Sequence, residues 1–75
     1  MDFQADRRFG IHLRELRDKR GLSQDAFAAK LQIGGHDMSR STLAKIESGV
    51  RHVYLNDLIA FQKALDVSYD ELMDI

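Results

Sequence analysis

Apolar positions along this chain recur at helical spacing, and strand-like alternation is almost absent. Phe9, Leu13 and Leu16 lie four and three residues apart, which predicts a first helix over Asp6–Arg20. Gly21 stands where a left-handed residue ends a helix, and Leu22 can fold back on that end. A second helix is predicted with Ser23 as N-cap, Phe27 and Leu31 inward, and Leu31 as its last residue. Ala28 is small, so another helix can approach there. "QIGGHDM", residues 32–38, contains two adjacent glycines and reads as a loop. A third helix spans Ser39–Ser48 with Gly49 as its stop, and Leu43, Ile46 and Val50 cluster on one side. The fourth lies in "LNDLIAFQKALD", with Asn56 as a possible cap and Leu58, Phe61 and Leu65 as its buried stripe. The fifth starts at Ser68. "SYDE" has the form of a capping box, and Leu72 anchors the helix. Five short helices with short connections predict one compact all-α bundle, a single domain over residues 1–75.

Composition adds limits. There is no cysteine or proline, so packing must hold the fold without disulfides or thiolate–metal sites. No apolar run approaches the roughly 20 residues of a membrane span. "MDFQADRRFG" lacks the apolar centre of a signal peptide, so the expected location is cytoplasmic, with no membrane partner. Net charge is −1, yet its distribution is uneven. Residues 1–51 carry ten Lys/Arg against seven Asp/Glu, and residues 52–75 carry one against five. Such asymmetry can steer an anionic partner to one face, though from charge alone plain surface solvation is the commoner explanation.

On a helical wheel of the third helix, Ser41, Lys45 and Ser48 fall opposite the apolar seam. Thr42 and Ala44 flank them, and Arg40 sits in the first turn. This outer face holds small or hydrogen-bonding residues and two cations. The DNA major groove, about 12 Å wide, admits such a helix. Arg and Lys donate to guanine O6 and N7, and Ser or Thr to several bases. For an isolated helix, ordinary solvated surface remains the commoner explanation. The tandem "GLSQDAFAAKL" and "SRSTLAKIESG" changes that weighting, because two helices in this order form a helix-turn-helix.

These stretches, with "LRELRDKRGLSQDAFAAKL" and "LIAFQKALDVSYDEL", resemble the Cro/C1-type (XRE-family) regulators over about residues 7–73. The resemblance implies a five-helix lambda-repressor-like bundle whose third helix enters the major groove of double-stranded DNA. Gln24 matches a position that meets the DNA backbone. Arg40, Ser41 and Lys45 match base-facing positions, with Thr42 and Ala44 as lesser candidates. Arg51 matches a phosphate-touching loop, and His52 is placed to join it. Ser39 opens the reading helix, where free N–H groups suit phosphate oxygens. Glu47 lies beside the apolar seam and needs a partner, which the resemblance gives as Arg17. The implied function is a sequence-specific transcriptional regulator, a homodimeric repressor. The alternative is a protein-interaction module such as an antitoxin, with a protein partner.

The chain departs from the family in its turn. Seven residues separate Leu31 from Ser39, and Gln32 replaces the usual glycine. This lengthened turn reads either as a solvated bulge or as a DNA-backbone contact with His36 as donor. Val53, Tyr54, Phe61, Met73 and Ile75 are candidates for the subunit contact, with Phe61 more simply read as core. His12, His36 and His52 show no metal-ligand spacing, and no nucleophile stands with a base and an orienting acid. The chain is therefore expected to be no enzyme and to need no metal or cofactor.

Overall fold

Serine caps fix where three of the helices begin. Ser23 Oγ accepts the Ala26 N–H at 3.0 Å, Ser39 Oγ the Thr42 N–H at 3.1 Å, and Ser68 Oγ the Glu71 N–H at 3.0 Å. Each satisfies a donor that a helix start leaves orphaned, worth about 1 kcal/mol. The computed structural model describes residues 3–75, so the first two residues of the expected domain lie outside the described residues. The helices are α1 (Phe3–Lys19), α2 (Gln24–Ile33), α3 (Arg40–Glu47), α4 (Leu55–Leu65) and α5 (Tyr69–Leu72).

Three boundaries differ from expectation. α1 starts at Phe3, earlier than Asp6. α2 continues two residues past Leu31 and leaves Ile33 87% exposed, because the Gly34–Gly35 pair, not the last inward residue, ends the helix. Asn56 does not cap α4. Tyr54 holds the N-cap position, and the Asp57 carboxylate accepts the Tyr54 N–H at 2.9 Å. That bond pulls the first turn forward and leaves Asn56 exposed within it.

α1 packs on α3 and α5, and α2 packs on α3 and α4. Phe61 lies at the centre, its ring 6.2 Å from Phe9 and 5.8 Å from Phe27 between centroids. Leu13, Leu31, Leu43, Ile46, Leu65 and Leu72 complete a core that excludes water. Val50, expected on the apolar side with Leu43 and Ile46, is 75% exposed. Gly49 takes φ 79°, a left-handed conformation that turns the chain off the helix, and the Val50 N–H closes on Lys45 O at 3.0 Å. Met38, which carried no core signal, is buried within the long turn.

The α1–α3 crossing depends on Gly10. A Cβ there would stand 2.4 Å from Ile46 O and 2.5 Å from Glu47 O. The two backbones meet at a distance only glycine permits, so the end of α3 is seated directly on α1. At the other pole, Arg20 Nε donates to Leu65 O at 2.8 Å, a carbonyl at the C-terminus of α4. His12 Nε2 donates to Glu71 O at 2.6 Å and ties α1 to α5.

Candidate nucleic-acid interface

α3 is an amphipathic rod whose two sides are cleanly separated. Leu43 and Ile46 are fully buried, and Glu47 lies at the edge of the seam. Ser39, Arg40, Ser41, Ala44, Lys45 and Ser48 line one open face on the other side. None of these six is acidic or a large apolar residue. Ser41, Lys45 and Arg40 are exposed, whereas Thr42 and Ala44 are half-buried. The Ser39 and Thr42 hydroxyls bond each other at 3.1 Å, so both belong to the cap as well as to the face. Arg40 Nε lies 3.6 Å from Asp25 Oδ1, but both groups are solvent-exposed. An exposed pair of that length holds the guanidinium weakly. An α-helix with side chains is about 10–12 Å across and matches the groove width.

The angle of this rod is set from behind. Arg17 Nε donates to Glu47 Oε2 at 2.7 Å and Arg17 Nη2 to Oε1 at 2.9 Å, with both side chains buried. Two parallel bonds to one carboxylate fix direction as well as distance. The hydrogen bond to Glu47 raises the Arg17 pKa, so the guanidinium stays charged. Arg17 Nη1 also donates to Leu22 O at 2.7 Å, which locks the turn between α1 and α2. Gln24 Nε2 donates to Glu47 Oε1 at 3.1 Å. Gln24 thus opens α2 with its amide held against the end of α3, a contact the sequence did not suggest.

Arg51 is also held. Its Nη1 donates to His52 O and to Asp57 Oδ2, each at 3.1 Å, and its guanidinium stands 5.4 Å over the Tyr54 ring. His52 Nδ1 lies 2.8 Å from Asp6 Oδ2, which joins the same loop to α1. The lengthened turn is not a solvated bulge. His36 Nε2 reaches Asp57 Oδ1 at 2.8 Å, Gln32 Nε2 donates to Met38 O at 3.2 Å, and Met38 enters the core. Asp57 itself is 4% exposed. Burial pushes its carboxyl up, but the Tyr54 N–H, His36 and Arg51 outweigh that and hold it below the usual carboxylate range. Among the described residues no buried side-chain N or O lacks a hydrogen-bond partner, and no group of three His, Cys, Asp or Glu is placed to hold a metal ion. No described helix is long and apolar enough to cross a membrane.

Of the residues expected at a subunit contact, Phe61 is the centre of the core and Val53 is half-buried against it. Tyr54, Met73 and Ile75 are exposed, as is Leu55, which carries no such signal in the sequence.

Comparison with known proteins agrees with this geometry. The helix-turn-helix family profile matches residues 13–72. The chain is 38% identical over 66 residues to the control protein C.MunI of a Mycoplasma species, covering 87% of this chain and 82% of that one. It is similar to the crystal structure of the restriction-modification controller protein C.AhdI from Aeromonas hydrophila, with a TM-score of 0.80 and 37% identity over 93% of this chain and 94% of the other. The chain belongs to the Cro/C1-type helix-turn-helix family, whose members are sequence-specific DNA-binding regulators.

Proposed function

We propose that this protein controls transcription of a restriction–modification system by reading duplex DNA with the outer face of α3. The observation that carries this reading is that face: two exposed cations among small hydroxyl and methyl groups, with no acid on it. Arg40 and Lys45 donate to guanine O6 or N7, and Ser41 reads a neighbouring base edge. Thr42 and Ala44 set how closely the helix approaches, Ala44 with room for a thymine methyl.

Phosphate contacts fix register. An amide nitrogen carries two hydrogens. Gln24 spends one on Glu47, and the second is directed to a phosphate. Arg51 spends its Nη1 donors on His52 O and Asp57, and its Nη2 donors serve the backbone. Ser39 brings the start of α3 to a third phosphate. Two copies related by a two-fold axis would read half-sites about 34–36 Å apart. Exposed Tyr54, Leu55, Met73 and Ile75 are the apolar surface such a dimer covers. The controller role is carried over from C.AhdI, a restriction-modification controller protein, with the similar C.MunI being a control protein.

Selection of bound sites from a random duplex library tests the reading. The expected result is a roughly palindromic site, with Lys45→Ala relaxing preference at one base step in each half-site at a cost of about 1–3 kcal/mol. Equal wild-type affinity for selected and random duplexes, or a Lys45→Ala variant with unchanged selectivity, overturns it.

A further inference from the structure

We propose that Asp57 is a positioning residue for DNA reading: its buried carboxylate ties the turn before α3 and the loop after α3 to one point and thereby sets how α3 is presented. The inference rests on the DNA-reading function above and adds to it a part for the lengthened turn. Three segments converge on the carboxylate. His36, from the turn of residues 34–39, bonds Oδ1 at 2.8 Å. Arg51, from the loop after α3, bonds Oδ2 at 3.1 Å. The Tyr54 N–H, at the start of α4, bonds Oδ2 at 2.9 Å.

α3 is eight residues long, too short to hold its own direction. Its two ends are continuous with the two pinned segments. His36 stands three residues before Ser39 and Arg51 four residues after Glu47. Met38 anchors the same turn in the core between His36 and the cap. The six-residue connection between α2 and α3 thus behaves as a strut. Asp57 receives the strut on one oxygen and the exit loop on the other. The Arg17–Glu47 pair fixes the helix from the α1 side. Asp57 fixes it from the α4 side. A tenfold change in affinity corresponds to about 1.4 kcal/mol, which lies within the range that one displaced base contact forfeits.

The test uses the full chain and a duplex selected by the wild-type protein from a random library. Asp57→Asn keeps the side-chain shape but turns two acceptor oxygens into one acceptor and one donor. His36→Ala removes only the strut. Both are measured at a temperature where circular dichroism shows the variant fully folded. The expected result is a fall of about tenfold or more in affinity for the selected duplex, with less than about threefold change for a random duplex, so that the specificity ratio drops. The two substitutions combined should cost less than the sum of their separate effects, because they act through one bond. If Asp57→Asn does not fold, His36→Ala decides alone. Folded variants that keep the wild-type ratio while losing thermal stability overturn the positioning role and leave a purely structural one. A wild-type protein with no duplex preference instead overturns the DNA-reading function itself, so the two failures are distinct.

Discussion

Glu47→Ala should be among the most damaging single changes in this chain. Glu47 and Arg17 are 9% and 6% exposed, and the substitution leaves the guanidinium buried without its main acceptor. Removing one partner of a buried pair costs about 3–5 kcal/mol. Two features place this pair at the lower end. Arg17 Nη1 keeps its bond to Leu22 O at 2.7 Å, and Asp18 Oδ1 remains 3.3 Å away. One feature acts the other way, since the Gln24 amide loses its acceptor too. A loss of about 3 kcal/mol is expected, against a total of about 4–11 kcal/mol for a domain of this size. At about 4–8 °C per kcal/mol, the midpoint of thermal unfolding should fall by about 12–24 °C. Urea unfolding followed by far-UV circular dichroism measures the difference. The apolar double variant Arg17→Met with Glu47→Leu should recover most of the loss, because a buried pair is worth little over well-packed apolar groups. A single variant within about 1 kcal/mol of wild type would refute the reasoning. So would a double variant as unstable as the single one, since the orphaned charge could not then be the cause.

Gly10→Ala should destabilise by about 1–3 kcal/mol or more, despite the better helix propensity of alanine, because its Cβ meets the Ile46 and Glu47 carbonyls; a raised urea midpoint would show that the two helices are not in backbone contact. Met38→Ala should cost about 2–5 kcal/mol, as for a core methionine, whereas a freely solvated turn would give almost no change. The Asp57 carboxyl lies below its unfolded value, so its contribution is present above the unfolded pKa and is lost as pH falls through the folded one. Wild type should therefore lose stability more steeply than Asp57→Asn as pH drops below about 4, and parallel acid profiles would contradict this.

Spacing together with cap and glycine signals located all five helices and most of the core. Phe9, Leu13, Leu16, Phe27, Leu31, Leu43, Ile46, Phe61 and Leu65 are buried where helical periodicity put them, whereas Leu58 is only half-buried and Ala64 and Val67 carried no core signal. Serines ahead of apolar periods marked real caps, because a short hydroxyl side chain has few other local uses. The contents of the long turn were not legible. A histidine amid glycines carries no periodic signal, and its partner Asp57 looked like one member of an acidic tail. The start of α4 was missed for the same reason: tyrosine is a poor cap by type, and the bond that fixes it comes from Asp57 three residues on. Val50 fell on the apolar side of a wheel that assumes an unbroken helix, and Gly49 breaks it. Gly10 reads in sequence only as a weak point in a helix, and its use appears once α3 lies against it. On the candidate interface, the small and cationic face of α3 was visible from residue types. The engagement of Gln24 and Arg51 with Glu47 and Asp57 depends on which helix ends meet in space, which no local pattern encodes.

The central claim, that α3 reads base edges from the major groove, is tested most directly by single 7-deazaguanine substitutions in a duplex selected by the protein. That change removes the N7 acceptor from the major groove and leaves base pairing and the minor groove intact. At the guanines met by Arg40 or Lys45, affinity should fall by the equivalent of about 1–3 kcal/mol, and the matching alanine variant should no longer sense the substitution. Binding that is indifferent to 7-deazaguanine at every guanine of the site, yet sensitive to minor-groove changes, would contradict it.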